Sequence, residues 1–310
     1  MNPDRVTIVV PATTANFGSA FDCMGMSLDV WNRVTVVTGH GRKVEISGEG
    51  SGQLPTDQEN LTYRAAMVPW ESVGKPCPDL AISCHNVIPL QRGMGSSAAA
   101  IVGGMVASNY LLGKPLSNDE VLSLAVQMEG HPDNVTPALL GGVQIVVKHQ
   151  GSIISSAVSI SRDIKIVLFI PDGVISTKEA RRVLPDRVPR EDAIYNLGRV
   201  ALLVNALNSD RVLDLGVAME DRLHQQYRNS LYPAMSILIR EARNAGALGA
   251  FVSGSGPTVL AIARGREMSI AYEMAEAAKK TGTPGRILIT SPSFDGAREM
   301  IDVDDGSRSF

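Results

Sequence analysis

The sequence predicts an α+β protein of two domains. Three observations lead there: 310 residues are enough for two modest cores, strand-like and helix-like runs are mixed in both halves, and a natural boundary falls near residue 160. The expected domains are 1–160 and 161–310. Hydrophobic residues make up 44% and charged residues 20%, ordinary for a globular chain, but the aromatic share is only 5%. The core must therefore rest on Val, Ile, Leu, Ala and Met.

The elements follow in order. Residues 5–10 read as a strand ending at Pro11, and 12–27 as too irregular for helix or strand. Strands are expected at 31–37 and 43–47, separated by the turn Gly39-His40-Gly41. A helix at 61–73 should kink or end at Pro69, and 80–88 is strand-like. A long apolar helix over 98–112 carries Gly103 and Gly104, each costing about 1 kcal/mol relative to Ala, which points to close packing against a sheet. Ser117-Asn118-Asp119-Glu120 is a capping box for the next helix. Residues 143–148 and 153–158 read as a hairpin around Gln150-Gly151.

In the second half, 165–169 is a strand. Ser176-Thr177-Lys178-Glu179 caps a short helix that Pro185 stops. Helices are expected near 192–208, 210–220, 233–245 and 269–281, with strands at 250–253, 258–263 and 286–290. A tail carrying Asp302, Asp304 and Asp305 is expected to be mobile at its end.

Composition excludes several function classes. A net charge of −3 gives no general attraction to nucleic acid or anionic membrane, so any phosphate site must be local. Cys23, Cys77 and Cys84 have no CxxC spacing and read as free thiols of a reducing compartment. No run reads as a signal peptide or a membrane span. The expectation is a cytoplasmic protein that engages neither membrane nor nucleic acid. No HExxH or Cys/His cluster supports zinc.

Gly93-Met94-Gly95-Ser96-Ser97, running directly into a helix, suits an anion. Glycine lets the backbone approach phosphate closely, and the free N–H groups of the first helical turn favour negative charge. The pattern alone fits a tight strand–helix turn that binds nothing equally well. A P-loop fails because Lys114 precedes Pro115. The dinucleotide fingerprint is met formally by Gly93, Gly95 and Ala98, but no second strand with its acidic residue follows.

More specific are three longer segments. Pro89-Leu90-Gln91-Arg92-Gly93-Met94-Gly95-Ser96-Ser97-Ala98-Ala99 resembles the second signature of the GHMP kinases. The run from Pro11 to Asp22 resembles the first, in its homoserine kinase form, and the run from Gly249 to Thr258 the third. Glu129-Gly130-His131-Pro132-Asp133-Asn134, Ala180-Arg181 with Leu184-Pro185, and the run from Asp221 to Arg228 are similar to segments of homoserine kinases. The resemblance covers residues 5 to about 290. Departures are Ser19-Ala20, where the family usually has Pro-Gly, and Gln226, where it often has Pro.

The resemblance implies a fold, a reaction and a site. The fold is the two-domain GHMP one, with an N-terminal domain like ribosomal protein S5 domain 2, a ferredoxin-like C-terminal domain, and the active site between them. The reaction is transfer of phosphate from ATP to L-homoserine, on the way to L-threonine, in a homodimer that uses Mg2+. Residues 89–99 and Asn60 would bind ATP, and Ser97 with Glu129 would hold Mg2+. Asn16, Asp22, His131, Asn134 and Gly254 would surround the amino alcohol, with Arg181 and Arg228 clamping its α-carboxylate. Asp22 is the one acidic residue nominated as a base. For Asn60 a helix N-cap role is equally natural, for Asp22 an Asx-turn, for Glu129 a solvated helix end, and for His131 a structural role. Another GHMP kinase, for threonine or another amino alcohol, is the nearest rival. A serine hydrolase using Ser97 or Ser253 with His131 lacks the nucleophile elbow.

Overall fold

The computed structural model describes residues 3–300. The N-terminal layer is built on a long antiparallel hairpin of β1 (Arg5–Ala15) and β2 (Met24–Thr38). After β3 (Lys43–Gly48) and α1 (Leu61–Ser72), β4 (Leu80–Asn86) pairs antiparallel with β2 and parallel with β3. Helices α2 (Ser96–Leu111), α3 (Asn118–Glu129) and α4 (Pro132–Leu140) follow, and α2 and α4 pack on β1 and β2. The hairpin of β5 (Val143–His149) and β6 (Ser152–Val158) is added alongside the start of β2.

The two glycines of α2 serve different partners. A Cβ on Gly103 would press on Val34 and Val10 of the sheet, whereas one on Gly104 would press on the backbone of Thr62 and Ala66 in α1. Gly104 thus lets two helices, not a helix and a sheet, approach closely.

The C-terminal layer starts with β7 (Lys165–Pro171). There follow α5 (Thr177–Arg182), α6 (Arg190–Asn208), a 3-10 turn (Val212–Asp214), α7 (Leu215–Ala218), α8 (Gln225–Arg228) and α9 (Ala234–Asn244). Then come β8 (Gly249–Val252), β9 (Val259–Ala263), α10 (Glu267–Lys280) and β10 (Gly285–Thr290). The sheet order is β10-β7-β9-β8, antiparallel throughout, so its first and third strands lie at the centre as in ferredoxin-like folds. A separate apolar cluster, including Val167, Leu238, Val252, Ile270 and Met274, joins this sheet to α9 and α10. The chain then returns to the first layer: Pro292 bridges to Leu28, and β11 (Arg298–Glu299) pairs with β1. Asp302, Asp304 and Asp305 lie outside the described residues.

Several sequence expectations need correction. Residues 12–27 are not irregular: β1 runs on to Ala15 and β2 starts at Met24, leaving only 16–23 as connection. The register shifts between Pro11 and Ala12, and this bulge carries the strand past the proline. The helix expected at 210–220 breaks into the 3-10 turn and the four residues of α7. Helix α4 was not foreseen, because Pro132 and Pro137 obscure its periodicity. Pro132 sits at the first helical position, where no N–H is needed. Pro137 cannot donate to Asp133 O, and Gly25 of β2 is the residue whose missing Cβ makes room for that carbonyl.

Candidate active site

A cavity of about 470 Å³ is lined by residues of both layers. One set of its lining residues is apolar: Ile46, Leu54, Leu61, Cys84 and Leu90. Another is polar and charged, with Asn16, Asp22, His131, Asp133, Arg181 and Arg228, and the segment from Gln91 to Ser97 contributes to the wall.

That segment is held open by its backbone. Gln91, Gly93 and Gly95 all have positive φ, at 53°, 75° and 70°. A Cβ on Gly93 would collide with Ser253 O, and one on Gly95 with Thr13 Oγ1. Ser253 Oγ donates to Gly93 O at 2.6 Å, and Thr13 N donates to Met94 O at 3.1 Å. The loop is thereby tied to both layers. Gly95 is the N-cap of α2 and offers no side-chain hydrogen bond to the first turn. The leading amides of a sixteen-residue helix are left for another acceptor.

The expected ATP-side residues divide by what their side chains do. Arg92 is a strut: Nε donates to Pro171 O at 2.8 Å, Nη1 to Leu90 O at 3.0 Å and Nη2 to Asp172 O at 2.8 Å. Pro89, Ala98 and Ala99 are buried away from the cavity wall. Asn60 lines the cavity but is also the N-cap of α1, accepting from Thr62 N at 2.9 Å and donating to Pro55 O at 2.7 Å. Ser97 Oγ donates to Glu129 Oε1 at 2.6 Å, so the end of α3 faces the start of α2. Burial raises the Glu129 carboxyl above its ordinary range, and the Ser97 bond only partly opposes this.

At the charged end, the loop 16–23 is organised by Asn16. Its Nδ2 donates to Gly254 O at 2.8 Å and its Oδ1 accepts from Asp22 N at 2.9 Å. Gly254 O also accepts from Arg228 Nη1 at 2.8 Å, so Asn16 and Arg228 converge on one carbonyl. Arg181 grips Asp22 through both terminal guanidinium nitrogens, Nη1 and Nη2. Thr13 Oγ1 donates to Asn134 Oδ1 at 2.9 Å, which joins this end to the glycine loop. Arg228 is 4% exposed, and burial together with nearby Arg181 pushes it down to about 10. The neighbouring Arg182 and Arg222 do not line the cavity.

Asp133 was missed in the sequence although it sits between two residues that were chosen. It is 2% exposed, lines the cavity, and its Oδ1 has no hydrogen-bond partner. That oxygen lies 3.2 Å from His131 Nδ1, a charge contact without hydrogen-bond alignment. Asp133 raises the His131 imidazole above its ordinary value despite burial. Among the described residues no group of three His, Cys, Asp or Glu is placed to hold a metal, and no helix is long and apolar enough to cross a membrane.

A mixed N-terminal sheet and an antiparallel C-terminal sheet, with a glycine-led helix that has no side-chain cap opening between them, form the architecture of a GHMP kinase. The family descriptions agree: GHMP kinases N terminal domain matches residues 60–142, and GHMP kinases C terminal matches 198–281. Homoserine kinase of Moorella thermoacetica is 42% identical over 93% of this chain and 97% of its own. That of Synechocystis is 44% identical over 83% and 85%. The crystal structure of homoserine kinase from Cytophaga hutchinsonii superposes with a TM-score of 0.88 at 26% identity, covering 97% of this chain and 98% of that one. L. major mevalonate kinase, 15% identical with a TM-score of 0.67 over 92% and 95%, shares the fold. The chain belongs to the homoserine kinase family.

Proposed function

We propose that the protein transfers the γ-phosphoryl group of ATP to the side-chain hydroxyl of L-homoserine, giving ADP and O-phospho-L-homoserine for L-threonine biosynthesis. The observation that carries this reading is the free N-terminus of α2, whose amides adjoin the same cavity as an Asp22, Arg181 and Arg228 cluster suited to an amino acid. The triphosphate rests against the amides that follow Gly95, and the apolar wall around Ile46, Leu54 and Leu90 receives the base. Arg181 and Arg228 take the α-carboxylate, and Asp22 the ammonium group.

Phosphoryl transfer proceeds through a loose transition state, so catalysis is chiefly positioning and charge neutralisation. The loop amides provide fixed donors for the phosphate oxygens. Asn134 Nδ2 has no hydrogen-bond partner among the described residues and is suited to orient the hydroxyl. Both oxygens of Asp22 are engaged by Arg181, which argues for binding over proton abstraction. The hydroxyl proton is lost late, after the leaving bond has begun to break, and passes to an oxygen of the transferred phosphoryl group or to solvent.

Ser97 Oγ and Glu129 Oε1 supply two hard oxygen atoms 2.6 Å apart beside the loop. This small set fits Mg2+, which takes few protein ligands and shares phosphate oxygens. When bound there, Mg2+ would neutralise charge gathering on the phosphates. The assembly we propose is a cytoplasmic homodimer, for which sedimentation at a mass near 33 kDa would be the contrary result.

The test is ADP release, by coupled assay, with L-homoserine, L-threonine, L-serine and mevalonate offered in turn, with and without EDTA. Homoserine should have the highest kcat/KM, and EDTA should abolish turnover. A higher kcat/KM for another alcohol would sink the assignment.

A further inference from the structure

The C-terminal half contains a buried polar network that the mechanism above does not use. His224 is wholly buried, between the substrate loop and α8. Its Nε2 lies 2.8 Å from Gly18 O and its Nδ1 lies 3.0 Å from Arg228 Nη1. The tautomer follows from the partners. A carbonyl only accepts and a guanidinium only donates, so Nε2 carries the proton and Nδ1 offers its lone pair. Burial and nearby Arg228 push His224 down to about 4, with only partial opposition from Asp221, so the ring is neutral near pH 7.

The plane of the ring is fixed by packing. It stacks on Phe21 with centroids 5.0 Å apart, and the guanidinium groups of Arg228 and Arg181 lie 5.4 and 5.7 Å from the same phenyl ring. Asp221, whose side chain is wholly buried, accepts from the amides of Leu223, His224 and Gln225 and from Asn196 Nδ2. Asn196 in turn donates to Ser19 O. The segment carrying His224 and the loop carrying Phe21 are therefore locked together.

Arg228 itself spends Nη1 on His224 and Gly254 O and Nε on Ala180 O, while Nη2 makes no hydrogen bond among the described residues. We infer that neutral His224 is a positioning residue: it holds the plane of the Arg228 guanidinium so that Nη2 faces the α-carboxylate of the substrate. The same ring links that arginine to the loop that presents Asp22, so the carboxylate and ammonium subsites are set by one side chain. This rests on the reading that Arg228 receives the carboxylate.

The experiment compares L-homoserine with 3-aminopropan-1-ol, an amino alcohol without the carboxylate, on the full chain. His224→Leu removes the acceptor, and His224→Gln keeps an amide oxygen and an amide N–H. In the parent protein and in Arg228→Lys, the ratio of kcat/KM for the two alcohols is measured. His224→Leu should lower that ratio by about tenfold, the scale of one hydrogen bond to a charged group, with KM for ATP moving less than KM for homoserine. His224→Gln should recover much of the ratio, and His224→Leu should add little in the Arg228→Lys background. Nitrogen NMR of the parent should show an unprotonated Nδ1 that does not titrate between pH 6 and 8. Equal losses for both alcohols, additive losses in the double variant, or a proton on Nδ1 would overturn the inference alone. An Arg228→Lys protein with the parent's ratio would overturn the carboxylate reading and the role of His224 with it.

Discussion

Arg181 and Asp22 meet in a two-pronged ion pair across the cleft, Nη1 to Oδ2 at 2.9 Å and Nη2 to Oδ1 at 2.8 Å. The two come from different layers, α5 and the loop between β1 and β2, and both are more than a third exposed. The pair places a cation and an anion side by side where a zwitterionic amino acid must bind. A substrate carboxylate and ammonium group can replace each partner's counter-charge, so binding exchanges one pairing for two.

The first prediction separates binding from base catalysis at this pair. Asp22→Asn should raise KM for homoserine by about ten- to a hundredfold, the range for a lost charge-assisted contact, while kcat falls much less. Steady-state kinetics decides. A fall of about a hundredfold in kcat at unchanged KM is the signature of a general base and would reverse this assignment.

The glycine loop yields a prediction about shape. Gly95 combines φ of 70° with a Cβ position that Thr13 Oγ1 already occupies. Gly74, with φ of 68°, has nothing within 4 Å of its Cβ position. Gly74→Ala should therefore cost only conformational strain, about 1 kcal/mol, whereas Gly95→Ala adds a steric clash worth roughly 1–3 kcal/mol more. Urea unfolding measures both. Only Gly95→Ala should also raise KM for ATP, since the collision displaces the start of α2.

The loop was legible in sequence because its chemistry is local: glycine spacing, serines and the onset of an apolar helix all lie within ten residues. The capping boxes at Ser117 and Ser176 were legible for the same reason, and both form as expected. The pairing of 12–15 with 25–28 was not legible. Ala12, Thr13, Thr14 and Ala15 have no strand-like alternation, and their extended form is imposed by β2 and by burial on both faces. His224 was invisible as a site residue because its partners, Gly18 and Arg228, are brought together by the tertiary fold. Arg92 looked like a phosphate ligand, since nothing in the sequence shows that two carbonyls from the end of β7 would claim it.

Glu129 yields a prediction about pH. Burial raises its carboxyl above the free glutamate value, so the native state binds a proton in a window where the unfolded chain does not. Stability must then fall as pH rises from the unfolded pKa through the higher native one. Above that window the buried carboxylate is a cost, and Glu129→Gln, which keeps an acceptor for Ser97, should raise Tm. The same variant should abolish the benefit of Mg2+ for ATP binding. In the parent, ATP–Mg2+ affinity should weaken on acidification at a pH above the ordinary glutamate pKa. Calorimetric titrations at several pH values test this, and an unchanged Tm for the variant at pH 8 would contradict it.

Arg92 yields the last prediction, about how the layers act as one unit. Its guanidinium spans Leu90 O on the glycine-loop side and Pro171 O and Asp172 O at the end of β7. Two backbone contacts run parallel to it: Ile175 N to Gln91 O at 3.3 Å and Thr258 N to Arg92 O at 3.4 Å. Both are long, and the arginine's three shorter bonds hold these segments in reach. Arg92→Met keeps the aliphatic stem but leaves three carbonyls without their donor, a loss of roughly 1–3 kcal/mol in stability. Arg92→Lys, with one ammonium group for three acceptors, should recover only part of this. The sharper readout is hydrogen exchange: in Arg92→Met the amides of Ile175 and Thr258 should exchange faster, while those inside β7 and β9 keep their protection. KM for ATP should rise more than KM for homoserine, because the displaced element is the phosphate loop. Faster exchange throughout the C-terminal sheet would instead mean that the strut stabilises that layer as a whole and does not set the loop.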